Sequence, residues 1–258
     1  MWTYPLALAV GSIVVAVLER VVPARPRQRS LRPGLGSDLA YLIFNGHFLG
    51  VGLAWVAART VAPFLDGRLE LHLASGWPLW VQAAVAVVLL DFAQWTIHIL
   101  LHRVPFLWEF HKVHHSVREG EMDWIVSFRF HWVEAVVYTT LQYLPLTLLG
   151  FAGEALMFHA VFGTLVGHFN HANLDWGYGH WRYVLNSPRM HLWHHDADGP
   201  RSRNFGIIFA VWDWVFGTAF LPDHPPRNLG FHGQEAMPPD FLRRSLWPLV
   251  RLNPRAST

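Results

Sequence analysis

Histidines gather in four clusters along the chain, and their spacing repeats. His98 and His102 are four apart. His111, His114 and His115 stand at i, i+3 and i+4. His168 and His171 are three apart, and His191, His194 and His195 repeat the HxxHH spacing. On a helix each spacing places the rings on one face. Imidazole suits Fe, Zn, Cu and Ni, and one such ion takes at most about six ligands, so these rings imply two metal ions at about five each. The chain has no cysteine, which excludes thiolate sites, Cys nucleophiles and disulfides. No HExxH run occurs, and the histidines far outnumber the protein ligands of a catalytic zinc. Irons with open positions bind and reduce O2 and can oxidise an unactivated C–H bond, which zinc cannot. The bland alternative is a set of interfacial histidines that happen to cluster. Polar residues at membrane depth are costly, so the repeated pattern argues against it.

The elements that must position these residues are apolar helices. The 258 residues are 52% hydrophobic and 15% charged, against about 25% charged in a soluble domain. The apolar runs therefore predict an all-α integral membrane protein, with four to five transmembrane or hairpin helices and a cytosolic helical cap around the dimetal site. The expected spans are Pro5 to Val22, Leu39 to Ala58 with Ser37 and Asp38 as caps, Trp77 to Leu101, Trp132 to Leu149, and Glu154 to Gly167. The last two form a short hairpin over 132–167. Residues 1–90 read as an N-terminal transmembrane region with a basic loop, 91–220 as the catalytic region and 221–258 as a Pro-rich cytosolic tail. The three parts make one structural domain. Phe205 to Phe220 reads as a stretch lying in the membrane interface, anchored by Trp212 and Trp214.

Charge gives the topology. The arginines from Arg20 to Arg32 predict a cytosolic loop, whereas the supposed outer loops hold only Arg59 and Arg68. Threading the spans from that loop puts every histidine cluster on the cytosolic face of one membrane, expected to be a bacterial inner membrane. Net charge is +2 and no basic stripe is interleaved with aromatics, which excludes nucleic acid as a partner.

The motifs resemble the fatty acid hydroxylase/sterol desaturase superfamily of integral-membrane, histidine-rich di-iron enzymes. Asp91-Phe92, Trp95, His98 and His102 resemble its first histidine box, and Trp108 to Ser116 (WEFHKVHHS) its second. His131 to Glu134 (HWVE) looks like the intervening HPxE element, with Trp132 where Pro is common. His168, His171 and Asn173 fit the third box, and Ser187 to His195 (SPRMHLWHH) the last. Asn204-Phe205-Gly206, Trp212-Asp213 and Phe216-Gly217-Thr218 resemble the closing signature. The resemblance implies that His98, His102, His111, His114, His115, His168, His171, His191, His194 and His195 ligate two irons, replaceable by zinc in recombinant protein. It also implies O2 as co-substrate and a lipid from the bilayer as substrate, hydroxylated or desaturated. Two electrons per turnover would come from a separate protein of ferredoxin, rubredoxin or cytochrome b5 type, since no flavin, haem or iron–sulfur motif is visible.

Around the ligands, Asp91 lies two helical turns before His98 on the same face and is expected to accept a ligand N–H. His131, Glu134 and Asp213 are candidates for the same role, and Asn173 for fixing a loop. His159 is read as a packing residue, about 180° from His168. Two other functions remain open: a His-rich membrane metal transporter, and an inactive lipid-binding member of the same fold. One-face clustering argues against the transporter, whose ligands would lie along a mid-membrane path.

Overall fold

The computed structural model describes residues 3–56, 59–60, 71–199 and 202–252. They are helical, with isolated bridges but no strand among the described residues. In chain order the helices are α1 (Thr3–Val21), α2 (Leu35–Ile43), α3 (Gly50–Val56), α4 (Leu79–Arg103), α5 (Pro105–His115), α6 (Trp132–Tyr138), α7 (Leu144–Leu148), α8 (Gly153–His171), α9 (Pro188–His194), α10 (Val211–Val215) and α11 (Phe241–Arg251). Residues 57–58 and 61–70, which include the end of the second expected span and Arg68, lie outside the described residues.

Long α4 and α8 pack together, and α1, α5 and α9 pack around them. Two expected spans are each interrupted by a π turn, Phe44–Leu49 between α2 and α3 and Thr139–Tyr143 between α6 and α7. The wider turns present polar side chains inward. Asn45 donates to the carbonyls of Phe128 and Phe130, both at 2.8 Å, and Gln142 donates to the Leu90 carbonyl at 3.1 Å. The turn before α8 needs Gly150, whose φ of +81° disfavours a side chain. Helix α8 then runs through His171, past the expected end near Gly167, so its last turn carries the third histidine pair. Among the described residues one helix, α4, is long and apolar enough by length and composition to cross a membrane.

Apolar packing is divided into small clusters around the histidines. Ala86 and Leu90 of α4 meet Leu146 and Phe151. Met122, Val126 and Leu192 pack beneath the site, and Tyr41, Val113 and Met237 join α2, α5 and the segment before α11. One expectation needs correction here. Ser37 and Asp38 do not cap α2, which starts at Leu35 after left-handed Gly34; Asp38 is instead fully buried beside Arg32 and Arg129. Arg32 is buried against Asp123, and Arg25 donates to the Met122 carbonyl at 2.8 Å. Those guanidiniums satisfy loop carbonyls and carboxylates that burial would otherwise strand.

Candidate dimetal centre

Four short stretches bring the histidines together. Helix α4 supplies His98 and His102 from its last turns. Helix α5, started by Pro105 in its first turn, supplies His111, His114 and His115. The end of α8 supplies His171. Helix α9 supplies His191 and His194, with His195 at its C-terminus; its N-cap Ser187 accepts from the Met190 N–H at 3.3 Å. Two groups result. One holds His98, His102, His111, His115 and His194, the other His114, His171, His191 and His195. Within each, one ring nitrogen per residue lies within 4.8 Å of all the others.

Each HxxHH box is divided between the groups. His111 and His115 face the first while His114 faces the second, and α9 does the reverse, sending His194 to the first and His191 and His195 to the second. On a helix the i+3 and i+4 positions lie about 60° and 40° to opposite sides of position i. Each short helix therefore serves both groups.

The outer ring nitrogens fix what the inner ones offer. Nδ1 of His98 lies 2.9 Å from the Phe205 carbonyl, that of His111 2.6 Å from Glu134 Oε2, and that of His114 3.1 Å from the Arg129 carbonyl. Nδ1 of His171 lies 2.7 Å from the Gly167 carbonyl and that of His194 2.8 Å from the Arg203 carbonyl. All these partners are acceptors, so each Nδ1 carries the proton and each neutral ring keeps its lone pair on Nε2. Yet Nε2 of His98 and His111 are 3.1 Å apart, as are those of His114 and His171. Paired lone pairs at that distance repel; a cation between them removes the conflict. Nε2 of His102, His115 and His194 is likewise buried without a partner, as are both nitrogens of His195. The donor set is all imidazole, which fits iron or zinc.

Burial and neighbouring rings keep the rings neutral. His114, His115, His191 and His195 are held well below the usual imidazole range, first by desolvation and then by one another. His194 is pushed down to about 3, mainly by desolvation and against its bond to the Arg203 carbonyl. Neutral rings are the form that binds metal.

His168 joins neither group. It is fully buried with its ring against Phe128 and Trp124, and Nδ1 lies 3.3 Å from Ser12 Oγ. One helical step of three residues turns it away from His171 toward α1, so the second group has four histidines rather than the expected five.

The surrounding polar residues act differently from expectation. Asp91 touches no histidine. Its carboxylate accepts from the N–H groups of Ile208 and Phe209 at 2.9 and 3.1 Å and from Trp212 Nε1 at 2.9 Å. Asp213 accepts from the N–H groups of Phe205 and Gly206 at 2.9 and 2.8 Å, from Trp95 Nε1 at 3.1 Å and from Thr218 Oγ1 at 2.6 Å. The two carboxylates thereby clamp the 205–213 loop to α4, which aims the Phe205 carbonyl at His98. Gly206 is required there, since a Cβ would collide with the Phe209 carbonyl. This loop is thus partly a wall of the site rather than wholly an interface stretch: Phe205 and Ala210 are buried while Val215 and Phe216 are exposed. Asn173 does fix a loop, exchanging hydrogen bonds with the backbone of Arg25. His131 caps α6 and donates to the Ser245 carbonyl at 2.7 Å. His159 packs as expected, buried beside the Tyr143 hydroxyl at 3.1 Å. Arg129, Arg203, Phe205 and Gly167 orient rings through their backbone carbonyls, which leave no trace in side-chain identity.

A family model described as fatty acid hydroxylase matches residues 83–218, more than half of the chain and every histidine of both groups. The chain belongs to the fatty acid hydroxylase family. It is 27% identical over 247 residues to the ornithine lipid hydroxylase OlsE of Rhizobium tropici, covering 92% of this chain and 73% of that one. It is 27% identical over 240 residues to the cholesterol 25-hydroxylase-like protein 2 of Danio rerio, covering 85% and 82%. With the human alkylglycerol monooxygenase it shares 27% identity over 146 residues, 56% of this chain and 31% of that one. No solved structure matches the chain.

Proposed function

We propose that the chain is an integral-membrane oxygenase with two irons, one per histidine group, that hydroxylates an unactivated C–H bond of a bilayer lipid. The observation that carries this reading is the pair of buried histidine groups whose Nε2 lone pairs converge with no proton between them. Bound iron would supply the capacity to reduce O2 and take hydrogen from a C–H bond. One oxygen atom enters the C–H bond, the other leaves as water, and two electrons with two protons come from a ferredoxin, rubredoxin or cytochrome b5 type donor. Hydroxylation is preferred to desaturation because the relatives are named hydroxylases and monooxygenases.

The protein's own residues exclude water and hold the rings. Glu134, Arg129, Phe205 and Arg203 fix tautomers, and buried Phe205 packs on His98 and His102 at centroid distances of 5.5 and 5.2 Å. A membrane setting is supported by the outward faces of α1, α4 and α8. Val10, Ile13 and Val17, then Leu89, Phe92 and Phe158, are all exposed, whereas Gln82, Asp91 and His98 point inward. Apolar-out, polar-in helices suit lipid rather than water. His98, His102 and His171 occupy the C-terminal ends of α4 and α8, consistent with one membrane face, read as the cytosolic face of a bacterial inner membrane.

The test compares lipid extracts from cells carrying the wild type or a His114→Ala variant, grown under isotopically labelled O2. Ornithine-containing lipid is the first substrate to follow, given OlsE. A wild-type-dependent lipid heavier by one labelled oxygen supports hydroxylation. A lipid lighter by two hydrogens supports desaturation instead, and identical lipids in both strains, with the donor present, contradict the proposal.

A further inference from the structure

A buried chain of alternating charge leads from the N-terminal segment to the second histidine group. Asp123 accepts two hydrogen bonds from Arg32, from Nε and Nη2, each at 2.7 Å. The same Nη2 lies 2.7 Å from Asp38 Oδ2. Asp38 in turn accepts from Arg129 Nη1 with both oxygens, at 3.0 and 3.1 Å. None of the four residues is more than 3% exposed. Arg129 ends the chain on a metal-site residue: its carbonyl lies 3.1 Å from His114 Nδ1, and its Nη2 donates to the His114 carbonyl at 3.4 Å.

Such a network is not explained by stability. Buried ion pairs pay a desolvation penalty, and well-packed apolar side chains often replace them at no loss. What the network does supply is a fixed direction. Arg129 is held at its guanidinium by Asp38 and by the His114 carbonyl, and its own carbonyl meets His114 Nδ1, so both ends of the residue are tied to the same histidine. Arg32 and Asp38 also lie outside residues 83–218, the part matched to the family.

We propose that Asp38 and Arg129 are positioning residues for His114, whereas Arg32 and Asp123 complete the buried ion network without setting the Arg129 carbonyl. The inference rests on the reading of the histidine groups as metal sites. The Asp38 carboxylate sets the guanidinium, the guanidinium sets the Arg129 carbonyl, and the carbonyl holds the proton on His114 Nδ1 so that Nε2 faces His171. Removing the charge of Asp38 leaves a buried guanidinium without its counterion. The guanidinium then loses the contact that holds it on His114, and the expected consequence is a displaced Arg129 carbonyl.

The test uses the full chain in detergent, as wild type, Asp38→Asn and Asp123→Asn, grown with iron-57. Iron per chain, the Mössbauer spectrum and the melting temperature are measured. Nitrogen-15 NMR of labelled histidine in the metal-free protein then reports the His114 tautomer without any metal. In Asp38→Asn the expected result is loss of the His114 Nδ1–H form and a fall from about two irons to about one, or a change in one iron signal only. Asp123→Asn, which touches Arg32 but not Arg129, keeps both irons and the tautomer even if its melting temperature falls. If Asp38→Asn does not fold, Asp38→Asn with Arg129→Met removes the unpaired charge and should show the same selective loss. An unchanged tautomer and spectrum in the Asp38 variants, or equal losses in Asp38→Asn and Asp123→Asn, would overturn the inference. A wild type without iron counts against the oxygenase reading, and the NMR comparison still decides the role of Asp38.

Discussion

Glu134 holds two helices at once. Its Oε2 lies 2.6 Å from Nδ1 of His111 on α5, and its Oε1 accepts the N–H of His131 at 3.1 Å, where α6 begins. His131 returns the favour through Nδ1, which accepts the Val133 N–H at 3.1 Å and closes a capping box. The carboxylate that orients a candidate ligand is thus itself fixed by a helix start.

Glu134→Gln should therefore weaken metal holding more than folding. The amide can still serve the cap, but it is a poorer acceptor for His111. Loss of such an orienting carboxylate lowers metal affinity about 10–100-fold, whereas a lost cap costs about 1 kcal/mol. Iron release to a chelator, timed against thermal melting, separates the effects. Unchanged release with a large drop in melting temperature would make Glu134 a cap alone.

His168 and His171 should part company. His168→Gln is expected to keep the wild-type metal content, because the ring touches Ser12, Trp124 and Phe128 rather than either group. His171→Ala should lose metal from the four-histidine group. Elemental analysis of both variants checks this, and equal loss in the two would return His168 to the ligand set.

Asp213→Asn places an amide NH2 where a carboxylate oxygen now accepts backbone N–H groups. At least one buried donor is stranded, which costs about 1–3 kcal/mol, and the Phe205 carbonyl loosens from His98. A lowered melting temperature together with a changed iron spectrum is expected. Thr218→Val, which removes one donor and strands none, should show a smaller drop and an unchanged spectrum.

Acid should open the metal-free site. An unfolded imidazole takes up its proton near pH 6.5, whereas folded His194 does so only near 3. As pH falls below about 6.5 the unfolded state binds more protons, so stability is complete above that value and is lost progressively toward 3. His114, His115, His191 and His195 add loss of the same sign. Metal-free protein should melt at lower temperature at about pH 5 than at about pH 7. A flat profile would show that the rings are not buried neutral.

Much of the site was legible because helical spacing is legible. His111, His114 and His115 announce one face of one helix, and His191, His194 and His195 repeat the spacing on another. What spacing could not give is the partition: whether adjacent His114 and His115 share an ion depends on where α8 and α9 arrive. Three-residue spacing likewise made His168 resemble a partner of His171, although only one of them faces inward. Asp91 reads in sequence as an acid on one face with His98, but the donors it accepts from lie more than a hundred residues away on the 205–213 loop. Arg32 and Arg25 read as loop charge in sequence, and their role as buried ties depends on Asp123 and Met122, more than ninety residues away.

The most direct test of the account is the metal content of detergent-purified protein from iron-57-grown cells, by elemental analysis with Mössbauer spectroscopy. The account predicts about two irons per chain, magnetically coupled and reactive with O2 once reduced. Zinc loaded during overexpression would be exchanged for iron before judging. Protein that binds no metal, or that takes up iron and stays inert to O2 after reduction, would contradict it.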